Sequence, residues 1–259
     1  MNHPLVTSPH DLPPQLANLR AHWLAWGDGS REVDADLSLY RSGIQHGLFN
    51  GVLRVHGRDP GEAAAEAEAA LSGVPWNWWI GPDSDPGVAE VLQSRGYTHR
   101  GAMPVMAADL TTVPRPSPPP GLIIEEATDR RGITDYVNAY SRAFGFADEV
   151  RAAATAAEVA LRTDLGTLIR LVGYLDGQPV ATAAVVLSHG VAGLYWIGTA
   201  AGHRNQGLGA ALTAAAMSAA SRRGMSVCTL QASALGRPVY ARLGFAEVGQ
   251  VALYAVPGR

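Results

Sequence analysis

The chain has 259 residues, of which 47% are hydrophobic and 17% charged, a composition typical of a globular protein with a sizeable core. Its net charge of −3 gives no reason to expect nucleic acid or an anionic membrane as a partner. All 20 basic residues are arginine, which excludes a pyridoxal-binding lysine and the lysine of a Walker-type nucleotide loop.

The N-terminal residues Met1–Pro4 lack the basic start and the apolar stretch of a signal peptide. No apolar run along the chain reaches the roughly 18–20 residues that are needed to span a bilayer. The single cysteine, Cys228, cannot form an internal disulfide, which agrees with a reducing compartment. We therefore expect a cytoplasmic protein, and we assign no metal site.

The first 113 residues carry alternating strand and helix signals. In chain order we predict a strand (Gly51–Val55), a helix (Pro60–Leu71), a strand (Pro75–Ile80), a helix (Val88–Arg95) and a strand (Ala102–Leu110). Alternation along the second strand places Trp76 and Trp78 on one face and Trp79 on the other. We expect these rings to pack in a core or between domains rather than to form a cage for an amine.

A proline-rich stretch follows this half. Five of the eight residues from Val113 to Pro120 are proline, which prevents a helix or a central strand and favours an extended, stiff spacer. We predict a linker at residues 114–120 between a domain of residues 1–113 and a domain of residues 121–259.

The second half also alternates strands and helices. We predict strands at Leu122–Ile124, Thr167–Leu175, Pro179–Ser188, Ala192–Thr199, Val227–Gln231 and Phe245–Val256, and helices at Asp129–Phe144, Val150–Arg162, Gly207–Arg223 and Leu235–Leu243. Asp176-Gly177 joins two of the strands as a hairpin turn, and Thr128 or Asp129 caps the first helix. The order predicts an α/β fold with a mixed sheet flanked by helices.

The segment Ala201–Ala210 joins the predicted strand Ala192–Thr199 to the helix Gly207–Arg223. Gly207 and Gly209 stand at the mouth of that helix, where they let the backbone approach a ligand closely. The free amides of the first helical turn and the helix dipole both favour a negative charge at this point. The segment therefore predicts a phosphate- or pyrophosphate-binding loop.

The charge pattern around the loop also favours a polyanionic ligand. No Asp or Glu occurs between Gly177 and Ala246, a span that contains five arginines. A dinucleotide-binding loop of the Rossmann type is excluded, because Leu212 occupies the position of its third glycine and no acidic residue follows until Glu247.

Two motifs of this half resemble those of the GNAT superfamily of N-acetyltransferases. Arg204–Gly209 reads Arg-Asn-Gln-Gly-Leu-Gly and resembles the Arg/Gln-x-x-Gly-x-Gly/Ala loop after the family's fourth strand. Val239–Phe245 is similar to the family's short tyrosine-containing helix and the Leu-Gly-Phe that follows it. The resemblance covers the region from about Leu122 to Tyr254. It implies the GNAT fold and an acyltransferase that uses acetyl-CoA as a co-substrate.

The resemblance also implies roles for individual residues. Amides of the loop would bind the pyrophosphate of CoA, while backbone groups at the end of the preceding strand would hold the pantetheine arm and polarise the acetyl carbonyl. Ser233 stands where the family often has an asparagine that touches the cofactor. The implied cofactor-binding residues are Ile197, Gly198, Thr199, Arg204, Asn205, Gln206, Gly207, Leu208, Gly209, Ala210 and Ser233.

Tyr240 is the catalytic residue that the resemblance implies, as the general acid that protonates the departing thiolate. The alternative is a core tyrosine with a satisfied hydroxyl. The glutamate that many family members carry on the fourth strand, as a base for the incoming amine, is absent from this sequence. Other groups are available as a base, and the sequence does not choose among them: Glu125, Glu126, Asp148, Glu149 and His203.

The first half shows a similar order of predicted strands and helices to the second half, but with a weaker match to the family motifs. Ser94–Tyr97 parallels Arg242–Phe245, but His56–Pro60 replaces the phosphate loop and adds a negative charge. We predict two GNAT-like halves in tandem, of which the first is degenerate and does not bind CoA.

Our leading hypothesis is an acetyl-CoA-dependent N-acetyltransferase that acts on the amine of a small molecule or a peptide through a direct ternary complex. The alternative is a non-catalytic CoA-binding sensor or regulatory module, motivated by the missing strand carboxylate and the degenerate half. A third possibility is acyl transfer to a thiol or from a longer acyl-CoA, since enzymes of these kinds would use the same phosphate loop. We expect no nucleic-acid or membrane partner. A homodimer is one option for the oligomeric state, which the sequence leaves open.

Overall fold

The computed structural model describes residues 3–27, 32–112, 116–161 and 168–257. Its helices are α1 (Leu12–Leu24), α2 (Pro60–Ala70), α3 (Val88–Ser94), α4 (Arg130–Phe144), α5 (Asp148–Ala160), α6 (Leu208–Arg222) and α7 (Arg237–Arg242). Its strands are β1 (Leu37–Arg41), β2 (Asn50–Val55), β3 (Asn77–Ile80), β4 (Thr98–Asp109), β5 (Ile123–Glu126), β6 (Leu168–Leu175), β7 (Gln178–Ser188), β8 (Val191–Thr199), β9 (Val227–Gln231) and β10 (Ala246–Ala255). Residues 114 and 115 of the predicted linker, and the ends of two predicted elements at 162 and 167, lie outside the described residues.

Every element predicted from the sequence is confirmed, with small shifts at the ends. Asp129 is the N-cap of α4, and its carboxylate accepts a hydrogen bond from the Gly132 amide at 2.7 Å. Asp176 and Gly177 both have positive φ values, 49° and 74°, as a tight turn between antiparallel strands requires. Helix α1 and strand β1 were not predicted from the sequence.

The described residues form two compact units. Unit 1 takes its residues from 1–18 and 106–248, and unit 2 takes its residues from 19–105 and 249–259. Strand β4 contributes residues 106–109 to unit 1, and β10 contributes residues 249–255 to unit 2. The end of β4, the last strand of the first predicted half, therefore belongs to unit 1, which consists mainly of the second half. The end of β10, the last strand of the second half, belongs to unit 2, which consists mainly of the first half. The domain boundaries at 113 and 121 remain a prediction.

Within unit 2, the strand order is β1-β2-β3-β10. Strands β2 and β3 are parallel and are connected through α2, whereas β10 pairs antiparallel with β3. Trp76 and Trp78 share one buried cluster, while Trp79 stacks on Trp23 at a centroid distance of 6.4 Å. The prediction that Trp79 faces away from the other two rings is confirmed, and all three rings are buried.

Within unit 1, the strand order is β4-β9-β8-β7-β6-β5. The strands from β5 to β8 form an antiparallel meander, and β8 is parallel to β9 through the crossover helix α6. Leu208 and Leu212 of α6 belong to the main apolar cluster of the unit, together with Leu194 of β8 and Leu230 of β9. This core fixes α6 directly after the end of β8, where the phosphate loop is predicted.

The start of α1 belongs to unit 1 and is bound there by buried side-chain amides. Asn18 Nδ2 donates to the carbonyl oxygens of Val186 at 3.0 Å and Ser188 at 3.1 Å, and Asn18 Oδ1 accepts from the Tyr195 hydroxyl at 2.7 Å. Gln15 Oε1 accepts from Thr229 Oγ1 at 2.9 Å. These bonds join the N-terminal segment to strands β7, β8 and β9.

Candidate functional site

The predicted phosphate loop lies between the end of β8 and the start of α6. A 3-10 turn, Ala201–His203, is followed by Asn205 with φ 62° and Gly207 with φ 80°. Asn205 and Gly207 are residue types that tolerate the left-handed region. Gly207 is the N-cap of α6 and provides no side-chain cap. Residues 204–207 are exposed, so the loop is open to a ligand.

The amides at the start of α6 are available to that ligand. The first backbone bond within the helix runs from the Ala211 amide to the Gly207 carbonyl at 3.0 Å, which leaves the amides of residues 208–210 outside the helical ladder. No Asp or Glu stands in the first turn to compete for them. Amides outside the helical ladder, at the positive end of a 15-residue helix, suit a phosphate or pyrophosphate group.

The Arg204 side chain contacts protein carbonyls. Its Nη2 donates to the Ala143 carbonyl in the last turn of α4 at 2.9 Å, and its Nε donates to the Thr199 carbonyl at 3.4 Å. A guanidinium at the negative end of a helix stabilises that end and links the loop to α4. A contact between this side chain and a phosphate stays a prediction.

Strands β8 and β9 pair only at their beginnings. The register joins Ala192 to Cys228 and Gly193 to Thr229, and among the described residues it joins no later residue of β8 to β9. On the other side, β7 and β8 are interrupted by a bulge at Trp196, which has φ 51°. Residues 197–199 therefore have no partner on β9, and the Thr199 carbonyl accepts from Arg204 instead.

Tyr240 lies in α7 and is 8% exposed. It packs in the same cluster as Leu208 and Leu230, and the partly buried Ile197 and Ala210 contact that cluster. Burial raises the pKa of Tyr240 to about 12. Its hydroxyl makes no hydrogen bond to another described residue. The catalytic role of Tyr240 stays a prediction.

Ser233 is exposed and lies in the connection between β9 and α7. Its Oγ accepts a hydrogen bond from the Gly236 amide at 3.1 Å and so stabilises the turn before α7. A contact of Ser233 with the cofactor stays a prediction.

The carboxylates considered as a base lie on elements other than β8. Glu125 and Glu126 line an open cavity of about 560 Å³ beside β5 and the start of α4. Asp148, in the first turn of α5, forms an ion pair with Arg151 at 2.9 Å. His203 is half-buried in the 3-10 turn. The base therefore stays unassigned.

An aromatic group that was not predicted from the sequence lies beside the bulge of β8. Phe144 and Phe146 are stacked at 5.9 Å, and Trp196 meets both rings edge-on. Tyr140 stacks on Trp196 at 4.7 Å. Phe144-Gly145-Phe146 after a predicted helix is a visible signal in the sequence, but only the fold brings it next to Trp196.

Family comparison agrees with this geometry. Residues 169–247 match the family model described as "Acetyltransferase (GNAT) domain", a range that includes β8, the loop, α6 and α7. The second half of the chain is therefore similar to a GNAT acetyltransferase domain. The matched range contains both motifs, so the resemblance found in the sequence is confirmed.

Solved structures give the same fold over most of the chain. A GCN5-related N-acetyltransferase from Kribbella flavida is 22% identical with a TM-score of 0.70, and the match covers 95% of this chain and 96% of that protein. A tandem GNAT protein from the clavulanic acid biosynthesis pathway is 19% identical with a TM-score of 0.60, covering 85% and 78% of the two chains. The predicted tandem GNAT fold is confirmed.

The described residues contain neither a candidate metal-binding group nor a helix that could span a membrane. Among them, no group of three or more His, Cys, Asp and Glu residues is placed to hold a metal ion. In the same part of the chain, no helix is both long enough and apolar enough to cross a membrane.

Proposed function

We propose that this GNAT protein transfers the acetyl group of acetyl-CoA to the amine of a small molecule or a peptide. The observation that carries the proposal is the start of α6. Its first amides lie outside the helical ladder and follow an uncapped Gly207 in the left-handed region, after the strand whose last residues do not pair with β9 among the described residues. Both features occur inside the range that matches the GNAT family model.

The residues of the loop fit the pyrophosphate of CoA. A Cβ at Gly202 would meet no atom within 4 Å, so the space beside the loop is open. Asn205, Gln206 and Gly207 are exposed, and the amides from Gln206 to Ala210 would bind the pyrophosphate. Backbone groups of residues 197–199 would bind the pantetheine arm and donate to the acetyl carbonyl oxygen, where negative charge develops.

Acetyl-CoA supplies an activated acyl thioester. The amine nitrogen forms the new C–N bond as the C–S bond breaks, and Tyr240 Oη gives its proton to the leaving sulfur. The proton that the amine nitrogen loses passes through water and restores the Tyr240 hydroxyl. With its raised pKa, Tyr240 holds this proton at neutral pH, as a general acid must.

A calorimetric titration of acetyl-CoA into the purified protein tests the cofactor site. We expect micromolar binding that is lost in a Gly207→Val variant, because a branched side chain is disfavoured at φ 80° and would crowd the open loop. Circular dichroism of the variant checks that it is folded. Absence of binding to the intact protein would refute the proposal.

The sensor alternative is tested by Tyr240→Phe. If the protein is an enzyme, the variant should bind acetyl-CoA as tightly as the wild type, while turnover with an amine falls by about 10²-fold or more. A CoA-binding sensor would bind acetyl-CoA and release no CoA with any amine. Its binding would be equally insensitive to the loss of the Tyr240 hydroxyl.

A further inference from the structure

Three aromatic residues pack together at the end of α4, and we call them the aromatic wall: Phe144, which is exposed, Phe146, which is half-buried, and Trp196, which is buried. The Phe144 side chain is 45% exposed, unusual for a large apolar residue, although it stacks on Phe146 at 5.9 Å. Trp196 meets Phe144 at 5.8 Å and 78°, and Phe146 at 6.4 Å and 81°. Edge-on contacts of this kind fix the rings relative to one another.

The aromatic wall lies directly against the backbone of β8 that the proposed function uses. A Cβ built on Gly198 would lie 3.4 Å from Phe144 Cε2 and 2.8 Å from Ala143 Cβ. Gly198 belongs to the stretch 197–199 that would donate to the acetyl carbonyl. With acetyl-CoA bound as proposed, a molecule in contact with Phe144 would lie beside the carbon that an incoming nucleophile must reach.

The backbone of Trp196 adopts an unfavourable conformation, which neighbouring contacts stabilise. A bulky residue with φ 51° lies in a disfavoured region, and such strain persists only where neighbouring contacts hold it. The Thr182 hydroxyl donates to the Trp196 carbonyl at 2.7 Å, and the Tyr140 ring stacks on the indole at 4.7 Å. The bulge places Trp196 on the side of the sheet that faces α4, beside Phe144.

The side chains of the wall itself are apolar, while Asp148 and Glu149 follow Phe146 by two and three residues and Arg204 donates to the Ala143 carbonyl beside Phe144. The strand β8, the loop and α7 lie in the span of residues 178–246, which contains no Asp or Glu. A cationic acceptor would find no carboxylate partner on these elements. An apolar environment instead favours the neutral form of an amine, because burial disfavours the charged ammonium. The neutral amine is the nucleophile that acetyl transfer requires.

We propose that the aromatic wall binds the acceptor, and that the acceptor is an amine attached to an aromatic or other apolar group. This inference rests on the proposed acetyl transfer and names its substrate class. Contact with Phe144 orients the apolar group. Exclusion of water around the amine favours its neutral form, so less depends on the base that β8 lacks.

The test compares wild type and Phe144→Ala with two matched probes, 2-phenylethylamine and ethanolamine, following release of free CoA thiol. We expect the wild type to prefer 2-phenylethylamine in kcat/KM by at least about tenfold, and the variant to lose most of that preference through KM. Ile123→Ala is the control, because Ile123 is 60% exposed on β5 of the same unit and lies outside the wall. It should leave the preference unchanged.

A calorimetric titration of acetyl-CoA into each variant separates the two proposals. Unchanged acetyl-CoA affinity in Phe144→Ala, with a reduced preference, supports the aromatic wall and shows that the variant is folded. A wild-type preference for ethanolamine, an equal preference in both proteins, or no acetylation of either amine despite acetyl-CoA binding would overturn the assignment of the wall. Failure of the intact protein to bind acetyl-CoA would instead overturn the proposed function.

Discussion

Gly198 lies where β8 passes the end of α4, and the structure leaves no room there for a methyl group. A Cβ at this position would lie 2.8 Å from Ala143 Cβ, whereas carbon atoms in contact stay about 3.5–4.0 Å apart. The shortfall is about 0.7 Å or more. Ala143 Cβ is fixed to the helix backbone, so no side-chain rotation can relieve the overlap, and the end of α4 must move.

Overpacking of this kind costs about 1–3 kcal/mol. In a chain of this size, a change of 1 kcal/mol shifts Tm by about 2–4 °C. Gly198→Ala should therefore lower Tm by about 2–12 °C, measured by differential scanning calorimetry. Movement of α4 would also weaken the bond from Arg204 to the Ala143 carbonyl, which now measures 2.9 Å.

Gly209→Ala is the matched control in the same region. Its Cβ would lie 3.6 Å from Thr199 Oγ1, an ordinary contact. Alanine in a helix is favoured over glycine by about 0.5–1 kcal/mol. Tm of this variant, without ligand, should be equal to or above that of the wild type. A Gly198→Ala protein that melts at the wild-type temperature would refute the close approach of α4 to β8.

Three other predictions concern buried polar groups. Because burial raises the pKa of Tyr240 to about 12, its protonated form should persist as pH rises through 10, and a decline in kcat with an apparent pKa near 10 would contradict its role as the acid. Asn18→Leu leaves the Tyr195 hydroxyl and several strand carbonyls without their partner, and should reduce the free energy of unfolding in urea by on the order of 3 kcal/mol. Glu158→Gln leaves Arg170 as an uncompensated buried charge, since their ion pair of 2.7 Å is almost fully buried. It should cost about 3–5 kcal/mol in the same assay, and a Glu158→Gln/Arg170→Met double variant should recover much of the loss.

The secondary structure and the phosphate loop could be predicted because their signals are local. Glycine spacing, the Asp129 cap and the Asp176-Gly177 turn each act within a few residues, and all lie where the pattern placed them. The fold followed from the order of these elements together with the two family motifs.

Helix α1 escaped prediction because its buried residues are partly polar. Gln15 and Asn18 are both fully buried, and their amides bind Thr229, Tyr195 and backbone carbonyls far along the chain. Hydrophobic periodicity identifies a helix by an apolar stripe, so a helix that buries amides gives a weak signal. The aromatic wall was missed for a related reason, since Phe144 and Trp196 meet only in the folded chain.

Because the end of β4 belongs to unit 1 and the end of β10 to unit 2, removing either predicted half also removes part of a strand from the unit formed mainly by the other half. A fragment that begins at residue 121 would lack residues 106–109 of β4, and β9 would become an exposed edge strand. Unpaired edges of apolar strands promote association with other chains. The same fragment would lose Gln15 and Asn18. The first half thus covers an edge of the second, so shortening the gene to the second half would be costly even if the first half never binds a ligand.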